Sequence, residues 1–173
     1  GGVTKIIQSQ LNGLANKDAE LLVVCDGQGL ENIKLPANAS FKTLDTLGYM
    51  PNVGSAVDLE NKVKEILSFF IAEVDKTDII HFHNIGMGKN VAVSYAMYLL
   101  AKERYNIINH AHDFPEDRPA NLKYIKDGLA VLGVDKYKSI LYPEIENYTF
   151  GVLNSFDKNR LLGFKVPEHR VKL

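Results

Sequence analysis

The sequence predicts an α/β fold built on a mostly parallel sheet with helices on both faces. Three observations predict it. Short continuous apolar runs of strand length alternate with longer stretches whose apolar residues recur at helical spacing. The apolar runs lack strict alternation, as expected of parallel strands buried on both faces. The helical stretches between them reach the dozen or more residues that a crossover between parallel strands requires.

Each element has a local reason. Val3, Ile6, Ile7, Leu11 and Leu14 fall on one helical stripe. Residues 21–25 (Leu-Leu-Val-Val-Cys) are a buried strand, and Asp26-Gly27-Gln28-Gly29 is a turn. Residues 41–44 are a weaker strand, and residues 48–54, with Pro51 and Asn52, are a loop. Asp58 is expected to cap a helix whose stripe is Leu59, Val63, Ile66, Leu67, Phe70, Ile71 and Val74. Residues 78–82 and 106–109 are strands, separated by a helix over residues 89–104. Residues 112–120 read as a polar loop with Pro115 and Pro119, and residues 121–128 as a short helix. Residues 139–142 and 148–154 are predicted to be strands. Residues 157–162 are a brief helix capped by Ser155 or Asp157 and ended by Gly163 and Pro167.

Composition narrows the function classes. The 173 residues suffice for one domain or one large lobe with a sizeable core. Twenty Lys and Arg are scattered against 21 Asp and Glu, for a net charge of -1, so the basic stripe of a nucleic-acid binder is missing. A single cysteine, Cys25, excludes an internal disulfide and is expected to be a buried, inert thiol. No apolar run approaches the roughly 18 residues of a membrane span, and no leader pattern opens the chain, so a cytoplasmic location is expected. Both ends read as cut: the chain opens on Gly1-Gly2 and closes on Val171-Lys172-Leu173 at the start of an apolar strand.

The chemistry gathers at the ends of two strands. His81-Phe82-His83-Asn84 and His110-Ala111-His112-Asp113 hold four of the five histidines. In a parallel α/β sheet ligands bind at the carboxyl ends of strands, where an imidazole can hydrogen-bond, carry a proton or hold a metal. One reading is a metal-dependent hydrolase. Residues i and i+2 of a strand share a face, so His81 and His83 could grip one ion, and His110, His112 and Asp113 another. Asp113, Glu116, Asp117 and Arg118 form a charged loop that is either simply solvated or lets Asp113 orient His112 and accept hydrogen bonds from substrate hydroxyls. Gly86-Met87-Gly88-Lys89-Asn90 lies between a strand and a helix but lacks the spacing and the Ser or Thr of a phosphate loop. It reads as a flexible turn into a helix whose first N–H groups point to the ligand side. Tyr142-Pro143-Glu144-Ile145-Glu146 is a structural turn. Leu47, Tyr49, Met50 and Val53 belong to the core or to an acceptor wall, because no basic cluster accompanies them as a membrane anchor would require.

The order of these motifs resembles the N-terminal lobe of retaining GT-B glycosyltransferases of the large group 1, also called family 4. The resemblance runs from Gly1-Gly2-Val3-Thr4-Lys5 through Asp78-Ile79-Ile80-His81-Phe82-His83, Ile107-Ile108-Asn109-His110-Ala111-His112-Asp113 and Val152-Leu153-Asn154-Ser155 to the Gly-Phe-x-Val-Pro run over residues 163–173. It implies a Rossmann-like three-layer lobe over residues 1–173 whose first strand is missing, with the donor-binding C-terminal lobe lying outside this chain. It implies transfer of a hexose from a nucleotide-sugar to a hydroxyl acceptor, sugar or lipid-linked, with retention. His112 is then the catalytic residue against the transferred sugar. Gly1 and Gly2 approach the donor phosphates, and His83, Asn84 and Asp113 face substrate. No metal and no cofactor are implied. The partners implied are the two substrates and the second lobe, with no nucleic acid and at most transient contact with a membrane surface. A non-enzymatic nucleotide-binding regulatory module is the other alternative to the hydrolase.

Overall fold

A computed structural model describes residues 2–28 and 32–173. The chain forms two compact units, Gly1–Gly48 and Tyr49–Leu173. Every strand pair among the described residues is parallel, and helices separate successive strands in the second unit. The fold is therefore α/β with parallel sheets and Rossmann-like.

In the first unit, helix α1 (Gly2–Leu14) leads to β1 (Leu21–Cys25), which pairs with β2 (Ala39–Thr43) from Leu21 opposite Ala39 to Cys25 opposite Thr43. The Asn38 amide braces the α1–β1 connection by donating to the carbonyls of Leu14 and Ala19. The expectation of a strand buried on both faces is corrected here, because all five residues of β1, Cys25 included, are half-exposed. Helix α1 likewise buries only Leu11.

The second unit carries α2 (Ala56–Glu73), β3 (Ile79–His83), α3 (Val91–Lys102), β4 (Asn106–Ala111), α4 (Pro119–Val131), α5 (Tyr137–Leu141), β5 (Tyr148–Val152), α6 (Ser155–Gly163) and β6 (Val171–Lys172). The strand order is β3-β4-β5-β6. One face holds Ile80, Ile107, Asn109, Ala111, Tyr148, Phe150, Val152 and Val171, all buried. The opposite face holds His81, Ile108, His110, Thr149 and Gly151, exposed or half-exposed. The helix α3 packs against α2, α4, α5 and β4. Apart from Tyr95, Tyr98 and Lys102 its side chains are small or apolar, and Ala92, Ala96, Met97 and Leu100 are fully buried. Close approach of α3 and α4 depends on Gly128, where a Cβ would lie 2.7 Å from Val91 Cγ1.

Several boundaries differ from the sequence expectation. Helix α2 is capped by Ser55, whose Oγ accepts from the Asp58 N–H at 3.1 Å. Asp58 is thus the third helical residue, and it accepts a hydrogen bond from the Ser55 hydroxyl at 2.7 Å. Likewise α6 is capped by Asn154, which accepts from the Asp157 N–H, and not by Ser155 or Asp157. Residues 139–142 do not form a strand. Ile140 and Leu141 are buried in the single turn of α5, because an apolar run this short has no period that separates a strand from a buried helical turn. Proline at the start of α4 suits the first helical turn, where its missing N–H costs nothing, so that helix begins earlier than the polar loop suggested. The turn after Tyr142 is structural as expected. The buried Arg170 guanidinium donates to the carbonyls of Pro143, Ile145 and Tyr148 and so ties the turn to the end of the chain. Among the described residues, no helix is long and apolar enough to cross a membrane.

Candidate functional site

The parallel register of β3 and β4 sets His83 directly opposite His110. His81 precedes His83 by two on β3, and His112 follows His110 by two, so the four imidazoles share one face of the sheet at the carboxyl ends of its strands. Three of them, His81, His83 and His110, lie inside the strands rather than in the loops beyond them. The rings stack, with centroids 5.0 Å apart for His81 and His83, 5.0 Å for His83 and His110, and 4.5 Å for His110 and His112. His83 Nδ1 and His112 Nε2 are hydrogen-bonded at 2.9 Å, and His81 Nε2 lies 3.3 Å from His110 Nδ1.

Electrostatics keep this row neutral. Burial, then the neighbouring His81, His110 and His112, push the His83 pKa down to about 3. Burial also lowers His81 and His110, with their imidazole neighbours adding to it. His112 is lowered by burial, an effect that the Asp113 carboxylate opposes. Four imidazoles this close cannot all be charged without mutual repulsion. At neutral pH they act as hydrogen-bond partners or lone-pair donors.

Asn84 fixes the loop ends. Its φ is +60°, in the left-handed region, which asparagine enters more readily than most residues. Its Oδ1 accepts from the backbone N–H of His112 at 2.7 Å and of Asp113 at 3.2 Å, and its own N–H donates to the His110 carbonyl. The side chain that sequence position alone marks as ligand-facing thus clamps the two loops together.

The charged loop after His112 is not simply solvated. Asp113 accepts from Arg118 at 2.9 Å. Glu116 accepts from the hydroxyls of Tyr137 and Tyr142, and Asp117 receives two hydrogen bonds from Arg160 at 2.5 and 2.7 Å. The Arg160 guanidinium also lies over the buried Phe114 ring. Tyr137, Tyr142 and Arg160 are distant in sequence, and nothing local to the loop signals them.

The Gly86–Asn90 turn is fixed rather than flexible. Gly88 has φ +77°, and a Cβ there would lie 2.7 Å from the Asn121 carbonyl oxygen. Asn121 donates to the Met87 carbonyl, Ser94 donates to the Ile85 carbonyl, and Asn90 caps α3 by accepting from the Val93 N–H. Of the two glycines expected near a donor, Gly2 opens α1 with open space around it, and Gly1 lies outside the described residues. His81, His83 and His110 each place one ring nitrogen within 4.8 Å of the others. His81, His83 and His110 therefore form one group across two strands, where the sequence suggested His81 with His83 and, separately, His110 with His112 and Asp113.

No family model matches the chain, and no solved structure matches it significantly. The chain is similar to the mannosylglucosyl-3-phosphoglycerate synthase of Petrotoga mobilis, at 27% identity over 179 residues covering 96% of this chain and 33% of that protein. It thus spans about a third of the length of the curated relative it matches. The similarity supports a glycosyltransferase-like relationship.

Proposed function

We propose that this chain is the acceptor-side lobe of a cytoplasmic, retaining glycosyltransferase that moves a hexose from a nucleotide-sugar to a hydroxyl acceptor. The observation that carries the reading is the His83–His112 pair, hydrogen-bonded at 2.9 Å and held by Asn84 at the ends of adjacent parallel strands. The similarity to a synthase whose name specifies a mannosylglucosyl phosphoglycerate supports hexosyl transfer to a hydroxyl-bearing acceptor.

In this reading the neutral His112 ring faces the transferred sugar. His83 fixes the tautomer of His112, and Asn84 fixes its backbone. A preorganised dipole stabilises charge as the sugar gains oxocarbenium character and the nucleotide diphosphate leaves. Asp113, steadied by Arg118, accepts from sugar hydroxyls. The donor itself is held chiefly by a second lobe of the same protein, and the transfer step uses no metal or cofactor.

The test is His112→Ala in the whole protein, with release of the nucleoside diphosphate as the readout. Turnover is expected to fall by about 10² or more, as for other well-placed stabilisers of developing charge. Turnover equal to that of the wild type would overturn the assignment.

A further inference from the structure

We propose that His81, His83 and His110 form a binding site for one divalent transition-metal ion of the zinc, cobalt, nickel and copper class. The site does not depend on the glycosyl-transfer reading.

The argument begins with topology. Parallel pairing of β3 and β4 leaves these three side chains no choice of face, because His81 and His83 are two apart on one strand and His83 stands opposite His110. The site is therefore built on two adjacent strands of the sheet and not on mobile loops. A tetrahedral ion bound at about 2.0–2.1 Å holds its nitrogen ligands roughly 3.3–3.4 Å apart. His81 Nε2 and His110 Nδ1 already stand 3.3 Å apart. His81, His83 and His110 each offer one ring nitrogen within 4.8 Å of the others, so the three need to close by about 1.5 Å at most to reach that spacing.

The surroundings suit that movement and that ligand. Opposite His110 on β5 stands Gly151, which has no side chain to restrict the ring. His83 is hydrogen-bonded through Nδ1 to His112, the kind of outer partner that sets the tautomer of a metal-bound histidine. A neutral imidazole nitrogen is a competent ligand for such an ion. Three nitrogen donors with no carboxylate in the group select borderline-soft ions over magnesium or calcium. Three protein ligands leave a fourth position for a solvent or ligand oxygen.

Tag-free protein dialysed against zinc chloride should retain one ion per chain. With cobalt(II) chloride it should develop the visible absorption bands of a tetrahedral nitrogen-ligated ion. His81→Ala and His110→Ala should each weaken binding at least about tenfold, and the double variant should abolish it. The control is His169→Ala, which removes an exposed histidine paired with Glu146 and should leave binding unchanged. Far-UV circular dichroism monitors folding. Should the double variant misfold, His81→Ala alone decides, since His81 is exposed and can be truncated without opening the core. The absence of stoichiometric binding by the wild type would overturn the proposal. So would wild-type affinity in His81→Ala, or binding that is lost with His169→Ala.

Discussion

Asn84 concentrates the consequences of a single residue. It sits at φ +60° and satisfies two backbone donors of the neighbouring loop. Asn84→Gly keeps the backbone conformation accessible and removes the clamp together with the weak contact from Asn84 Nδ2 to Met87 Sδ. Two loop donors left without their acceptor should cost about 1–3 kcal/mol. Asn84→Ala loses the same bonds and adds the left-handed penalty of about 1–2 kcal/mol. Urea unfolding of both variants separates the two effects, and a glycine variant as stable as wild type would remove the clamp from the account. On the proposed role of His112, turnover should fall in both variants, because that residue loses its backbone anchor, but by less than in His112→Ala. The histidines themselves were legible as i and i+2 pairs in the sequence. That His83 meets His110, making one group rather than two, was not legible, because strand register is a tertiary property that neither strand encodes alone.

At the scale of elements, the loop over residues 113–118 shows how paired charges fix a segment that reads as solvated. Arg160 reaches from α6 to Asp117 and holds that carboxyl below its usual value of 3.8. The folded state therefore binds this proton only at a lower pH than the unfolded chain does. The stabilisation is complete above about pH 3.8 and is lost as the pH falls through the folded-state value. For a partly exposed pair it amounts to about 1 kcal/mol or less. Asp117→Asn should lower stability by that amount near neutral pH, and the gap from wild type should close on acidification. A gap of constant size would mean that the carboxylate charge is not what matters. The strands β3, β4 and β5 were legible as short apolar runs alternating with helical stretches, and α2 was legible because its stripe repeats over several turns. The α5 turn and the caps at Ser55 and Asn154 were not. One-turn segments carry no period, and several neighbouring polar residues could each have served as the cap.

At the scale of the whole molecule, the second unit sorts its apolar and histidine-bearing residues onto opposite faces of one parallel sheet. That arrangement offers imidazole and carboxylate groups to a ligand, but few positions for a nucleotide diphosphate. A phosphate needs backbone N–H groups or cations pointing at it. The turn before α3 resembles such a cradle. There Asn90 takes the Val93 N–H, Gly88 is packed against Asn121, and the Lys89 ammonium lies over the Tyr49 ring, 5.2 Å from its centroid. If donor binding belongs chiefly to a second lobe, calorimetric titration of the 173-residue chain with UDP- and GDP-sugars should give affinities weaker than about millimolar. A nucleotide-binding regulatory module would instead bind at micromolar concentrations without any second lobe. Tight binding by this chain alone would therefore overturn the acceptor-side assignment while leaving the histidine metal site untouched, since that site draws on β3 and β4 and not on the turn before α3.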